Sequence, residues 1–449
     1  MKFAEQPVAC SGRLETETWN HLIIDGVDFM GRLSIDQLKP GMVVGEDLVG
    51  TNGRFLLGKG VSLTDKHLRV LKMWGVMDAE IDGVSASDVE SDNMATFDAA
   101  LLKEAIWQTR QRFRNCDMNH PALRELFRLC SLRKARNMTQ EQPRERIVRL
   151  TCVSSNGEEK KRTRLPQVNP HSLLHEGIKL PSLPAIFMQI QDVINNPRSS
   201  AHSIANVIGK DTGLTARLLQ LVNSTFYGFP SKIDSLSRAV TIVGTKQLST
   251  LALGVTLVSV FKNIPQALID LKSFWKHSLG CAILSRSLAK IKNIANTERL
   301  FLGGLVHDIG RMIVYGYLAE HAREALERAR NDSMYLMSAE VEVMGFAHQS
   351  IGSLLLKKWR LPLTLESIVR YHHEPMKSKQ PMDSAIVHMA DLITNALEVG
   401  SSGERLVPEI DTQAWETLGV PISILGPTIT ELDDQISEVS RLFFLEGQA

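Results

Sequence analysis

Apolar residues in this chain follow two different periods. From residue 32 to 83 they come in short β-compatible clusters: Ile35, Leu38 and Met42-Val43-Val44 lie around the turn signal Pro40-Gly41. Thr51-Asn52-Gly53 predicts a hairpin turn, because Asn-Gly accepts positive φ at little cost. Phe55-Leu56-Leu57 reads as the next strand, ended by Gly58 and Gly60. Thr64 is placed to cap a helix on which Leu68, Leu71 and Trp74 share a face; Gly75 closes it, and 76–81 returns to a strand. Nothing in this module has catalytic spacing. It is expected to serve as a scaffold or regulatory docking module.

From Phe97 the period becomes helical. Phe97, Leu101, Ala105 and Phe113 recur at turn spacing, as do Leu123, Leu126, Phe127 and Cys130. Residues 140–169 then turn polar around Pro143, Pro166 and Pro170, with the run Glu158-Glu159-Lys160-Lys161-Arg162, which is the composition of a linker. Beyond it the apolar periodicity predicts helices at 186–194, 204–222, 236–243, 248–261, 274–289, 301–317, 322–330, 337–344, 349–359 and 363–371. Two more are expected at 383–397 and 427–445, and Asp411 is placed to cap a short helix ending at Gly419. Asn196-Pro197, Tyr227-Gly228-Phe229-Pro230 and Leu361-Pro362 punctuate them. The expected fold class is therefore mainly α. A small β-containing module at 31–90 precedes a helical segment at 91–139, a linker at 140–172, an all-helical bundle domain at 173–395 and a helical extension at 396–449.

Composition narrows the function classes. The 449 residues exceed one ordinary core, and 43% hydrophobic with 22% charged residues is a globular balance. With 51 Lys and Arg against 50 Asp and Glu, the net charge of +1 gives no global attraction to nucleic acid or acidic lipid. Locally, 101–165 holds 16 basic against 7 acidic residues, but its aromatics Trp107, Phe113 and Phe127 sit at core spacing, so a solvated face is expected over a nucleic-acid surface. The five cysteines have no CxxC spacing and are read as reduced thiols. The N-terminus has no apolar stretch after its lysine, and 248–261 is short of the roughly 20 apolar residues a membrane span needs. A cytoplasmic location without membrane insertion is expected.

The candidate chemistry lies in the helical half. Of 13 histidines, a subset falls where helices begin, end or face inward: His277, His307 beside Asp308, His348, and the pair His372-His373, followed by Asp391. Imidazole nitrogens and carboxylate oxygens suit divalent ions such as zinc, iron, manganese and magnesium. Adjacent His307 and Asp308 can serve one ion and help bridge to a second. Taken singly, each histidine is more often a hydrogen-bonded structural residue; the ordered set carries the case. His21, His67, His120, His171, His175, His202, His321 and His388 are assigned such structural roles.

That order, His, His-Asp, His, His-His, Asp, resembles the HD superfamily of phosphohydrolases. Leu180-Pro181-Ser182-Leu183-Pro184, the stretch Ile208-Gly209-Lys210-Asp211-Thr212 through Asn223-Ser224, the stretch Ser235-Leu236-Ser237-Arg238-Ala239 and Tyr371-His372-His373-Glu374-Pro375 resemble its HDOD branch. Leu38-Lys39-Pro40-Gly41-Met42 resembles the N-terminal domain often joined to HD-GYP cyclic di-GMP phosphodiesterases. The resemblance implies one or two divalent ions (Fe, Mn, Zn or Mg) on His277, His307, Asp308, His348, His372, His373 and Asp391. It implies a signalling protein or a nucleotide second messenger as partner, with self-association left open. Departures bear on catalysis. No Gly-Tyr-Pro follows the histidine pair, Arg311 stands where the HD-GYP enzymes typically have lysine, and Ser273 stands where some of their sites place an acid. A signalling and binding module is therefore expected first. The alternative is an active phosphohydrolase with Asp308 as a catalytic residue and Arg311 on the phosphate. A nucleic-acid role for the basic stretch would show as affinity falling steeply with salt.

Overall fold

The structure, a computed structural model, describes residues 30–35, 38–49, 55–73, 76, 78–85, 99–140, 165–173, 184–196, 198, 200–224, 226–229, 231–258, 260–261 and 264–443. The expected turn at 51–53, Trp74, Gly75, Phe97, most of the polar linker and the Leu180-Pro181-Ser182-Leu183 motif lie outside these. The chain divides into two units, Met1–Lys103 and Glu104–Ala449.

In the N-terminal unit, β1 (Met30–Ser34) pairs antiparallel with β4 (Asp78–Ser85), setting Leu33 opposite Ala79. A second two-stranded sheet joins β2 (Leu48–Val49) to β3 (Phe55–Leu57). Helix α1 (Asp65–Met73) starts where expected: Thr64 Oγ1 accepts from His67 N at 3.2 Å. The alternation of strands and helix turns Leu33, Val44, Leu48, Leu57, Leu63, Leu71 and Ile81 into one small core.

Helix α2 (Ala99–Arg112) crosses the division between the units, and α3 (Pro121–Gln140) follows. After the single turn Pro170–Ser172 come α4 (Ala185–Asn195), α5 (Ala201–Gly209), α6 (Thr212–Val222), α7 (Leu236–Val243) and α8 (Thr245–Val258). The centre of the unit is α9 (Leu271–Ile291), packed on α10 (Thr297–Val306). Then follow α11 (Ile309–Tyr317), α12 (Ala319–Asn331), α13 (Leu336–Met344), α14 (His348–Lys358), α15 (Leu363–Tyr371), α16 (Pro381–Ala396), α17 (Thr412–Leu418) and α18 (Leu425–Phe443). Helices α16 and α18 also pack on α9, so α9 and α16 are buried over most of their length. No single helix among the described residues is long and apolar enough to cross a membrane. The pair α7 and α8 passes that test together but is bent by 116° at Gly244.

Two helices expected as continuous are each two. The apolar face at 204–222 breaks before Asp211, whose carboxylate accepts from Leu214 N at 2.9 Å and starts α6 anew. The run expected at 301–317 breaks at His307-Asp308, where Asp308 leaves helical geometry (φ −94, ψ 11) before α11. At the end of α6, Asn223 acts as a side-chain peptide. Its Nδ2 donates to Leu219 O and Ile233 O, and its Oδ1 accepts from Ile233 N, each at 2.7 Å. That ties the loop before α7 back to α6 and accounts physically for an amide at this position.

Candidate metal centre

Five places in the helical unit send side chains to one buried volume. His277 lies in the second turn of α9, whose start is fixed by Asp270 accepting from Lys272 N and Ser273 N. His307 and Asp308 form the break between α10 and α11, His348 opens α14, His372 and His373 follow α15, and Asp391 sits mid-way along α16. Two glycines let the helices approach closely enough. A Cβ on Gly304 would stand 2.7 Å from Cys281 O, and one on Gly310 would stand 2.0 Å from His348 O. Backbone meets backbone there, α10 on α9 and α11 on α14.

The seven expected ligands all converge, in two groups whose ligand atoms each lie within 4.8 Å of one another: His277, His307 and Asp391, and Asp308, His348, His372 and His373. In the first group, Asp391 Oδ1 is 3.1 Å from His277 Nε2 and 3.3 Å from His307 Nε2. In the second, His348 Nε2 is 3.3 Å from His372 Nε2 and 3.2 Å from His373 Nε2. Asp308 joins them. Its Oδ1 is 2.9 Å from His348 Nε2 and its Oδ2 is 3.4 Å from His307 Nε2. Two donors about 2.1 Å from one ion stand about 3.0–3.4 Å apart, so these spacings match a coordination shell.

Tautomers point the same way. His307 Nδ1 donates to Gly304 O at 2.7 Å and His372 Nδ1 to Val369 O at 2.9 Å, since a carbonyl can only accept. His348 Nδ1 donates to Glu340 Oε2 at 2.6 Å. Each neutral ring then presents an Nε2 lone pair to the interior. Lone pairs facing each other at such distances repel unless a proton or a cation lies between them. The buried atoms His277 Nε2, His307 Nε2 and Asp308 Oδ1 have no hydrogen-bond partner among the described residues, although buried polar groups are rarely left so. The donor set therefore fits a divalent metal ion.

Behind the ligands lies a second layer. Arg311 is buried, and its Nη1 donates to Asp308 Oδ2 at 2.9 Å and to Ser402 Oγ, while its Nε reaches Glu340 Oε1 at 3.2 Å. The guanidinium that the enzymatic alternative would set on a phosphate holds Asp308 and Glu340 here. Asn395 Nδ2 donates to Asp391 Oδ1 at 2.8 Å. His388, expected as a structural histidine, donates from Nδ1 to His372 O at 2.8 Å and accepts from Asp411 N at 3.0 Å. Sequence reasoning missed Glu340, Asn395 and Ser402. For Glu340 a signal existed: it occupies the buried face of α13 with Leu336, Ala339, Val343 and Met344, where a carboxylate needs a buried partner.

Electrostatics couples this set to protons. Burial works against a charged His307, yet the Cys281 thiol beside it and the Asp308 and Asp391 carboxylates hold its pKa well above the ordinary imidazole value. Burial and Arg311 oppose a charged His348, and Glu340 with Asp308 raises it. His372 goes the other way: burial, then His307 and His348 beside it, push it down to about 3. Both upward shifts favour the protonated ring when no ion is bound, so an entering ion competes with protons for these nitrogens. Metal binding at pH 7 is therefore expected to release about one to two protons, and apparent affinity is expected to fall as pH drops from about 7 to 5. Titration calorimetry in buffers of differing ionisation enthalpy checks this; buffer-independent heats would contradict it.

Comparison with known proteins agrees with this geometry. Residues 180–375 match the HDOD domain family. An uncharacterized protein of Treponema pallidum (strain Nichols) is 27% identical over 197 residues, which is 43% of this chain and 37% of that relative, so the match spans well under half the relative's length. A crystallised HDOD domain protein of unknown function from Geobacter sulfurreducens has a TM-score of 0.52 at 24% identity, covering 62% of this chain and 97% of that one. A Shewanella amazonensis SB2B protein, provisionally named a phosphohydrolase, has a TM-score of 0.50 at 24% identity, covering 61% and 100%. These likenesses establish the fold. Asp391 lies beyond the matched stretch yet completes the ligand set. Over residues 180–375 the chain matches the HDOD domain family, and its helical fold is that of the crystallised relatives.

Proposed function

We propose that this chain is a signal-transduction protein of the HDOD type, in which a buried divalent-metal centre organises a binding or regulatory output domain. His277, His307 and Asp391 would hold one ion, and His348, His372 and His373 a second, with Asp308 shared between them. One or two ions of Fe, Mn, Zn or Mg would supply Lewis acidity there and lower the pKa of a bound water. Arg311, Glu340, Asn395 and His388 position the ligands. The N-terminal unit is assigned to regulation. The free thiols Cys116, Cys130 and Cys281 suit a reducing cytoplasm.

The observation that carries this reading over hydrolysis is burial. Six of the seven ligands are buried and only His373 is half-buried. A phosphohydrolase has to seat a phosphoryl oxygen directly on its metal, and here the donors lie almost wholly out of solvent. Protein purified without added metal is expected to contain about one to two equivalents of a divalent ion by elemental analysis, and His307→Ala protein less than half of that. The iron- or manganese-loaded protein is expected to leave model phosphodiesters and cyclic dinucleotides intact. Turnover that vanishes with His307→Ala would replace this reading by the enzymatic one.

A further inference from the structure

A groove outside the ligand cluster has a chemistry of its own. Its volume is about 560 Å³, a size typical of small-molecule sites. Helices α14 and α15 form its walls with the Pro170–Ser172 turn, Phe346 and Lys379. These are the helices that carry His348 and lead into His372. Arg370 and Lys379 place exposed cationic groups along the groove beside the exposed His171 imidazole, and none of the three has an ion pair among the described residues. Tyr371 and Phe346 bring aromatic rings to it. Glu366, one turn before Arg370 on α15, lines the same space. Its Oε2 is buried without a hydrogen-bond partner among the described residues.

Two cations, an imidazole, two aromatic rings and one carboxylate ask for a specific kind of ligand. Guanidinium and ammonium groups recognise phosphate. Aromatic side chains stack on nucleobases. An ionised carboxylate only accepts, so the ring edge facing Glu366 must offer donors. Guanine offers N1–H and N2–H side by side, whereas adenine sets an acceptor next to its amino group. We propose that this groove binds a guanine nucleotide, with its phosphate on Arg370, Lys379 and His171 and its base edge on Glu366. The site deepens the reading of the chain as a binding module and rests on it, but it needs no substrate contact with the metal centre. Occupancy would bear directly on α14 and α15, which position His348, His372 and His373.

The test uses the full-length protein with GMP, AMP, guanosine and inorganic phosphate as probes in calorimetry, with metal content measured on the same samples. Saturable GMP binding is expected, with AMP and guanosine each about tenfold weaker or more. Arg370→Ala is expected to weaken GMP about tenfold, and Glu366→Gln to erase the preference for GMP over AMP, both with metal content unchanged. No saturation by GMP up to about 1 mM with metal in place would overturn the groove and leave the metal centre standing. So would inorganic phosphate binding as tightly as GMP, or a GMP preference that survives Glu366→Gln. GMP binding to protein that carries no metal would support the groove and remove the metal centre instead.

Discussion

Protein carrying Asp308→Ala is expected to lose metal from both halves of the centre and to be strongly destabilised. Asp308 is the side chain that turns one oxygen to His348 and the other to His307. Its removal takes a donor from each half and also strands Arg311, which keeps Glu340 and Ser402 but loses its closer carboxylate. Breaking a buried ion pair from one side costs about 3–5 kcal/mol, because the remaining charge stays out of water. The same substitution at His373, on the half-buried edge, is expected to cost less and to spare the His277, His307 and Asp391 group. Elemental analysis and thermal melts of the two variants side by side check both statements. Full metal content in Asp308→Ala protein would end the shared-carboxylate account.

Gly310→Ala is the second large effect, and it acts without touching a ligand. The added methyl would lie 2.0 Å from His348 O and 2.9 Å from Gly352 N, atoms of the facing helix backbone that cannot swing aside. Helices α11 and α14 would have to separate, which carries His348 away from Asp308. Overpacking typically costs about 1–3 kcal/mol, and backbone against backbone belongs at or beyond the upper end. Loss of metal is expected together with a lowered melting temperature. By contrast, Gly426→Ala, where a Cβ meets nothing within 4 Å, is expected to be close to neutral. A Gly310→Ala protein that melts and binds metal normally would show that the close approach does not position His348.

Much of this was legible from residue types and spacing, and the misses have identifiable causes. Apolar periodicity located the helices because each hides one face; α7 and α15 fall at the expected residues. It failed at Asp211 and Asp308, because an apolar face continues across a break that backbone geometry makes. The seven side chains that converge were readable as an ordered set through the resemblance their order carries, and histidine and aspartate at inward positions need a partner. Their supporting layer was not. Glu340, Asn395 and Ser402 are ordinary residues in sequence, and only the fold brings them to His348, Asp391 and Arg311. Arg311 was noticed for its charge, as a phosphate contact in the enzymatic alternative; its contacts with Asp308 and Glu340 were not legible, because a sequence gives a side chain's reach without its heading. His171 looked incidental until the turn at Pro170–Ser172 brought it to the groove.

The donors of the centre come from helices spread between His277 on α9 and Asp391 on α16, interleaved with helices that contribute none. No short fragment of the chain holds either group complete. A nascent polypeptide leaving the ribosome would therefore carry the Asp308, His348, His372 and His373 donors before α16 had emerged, and would complete the His277, His307 and Asp391 group only once α16 had docked on α9. The two groups would thus be completed at different stages of synthesis, and a product truncated before α16 would lack a carboxylate for the His277 and His307 pair.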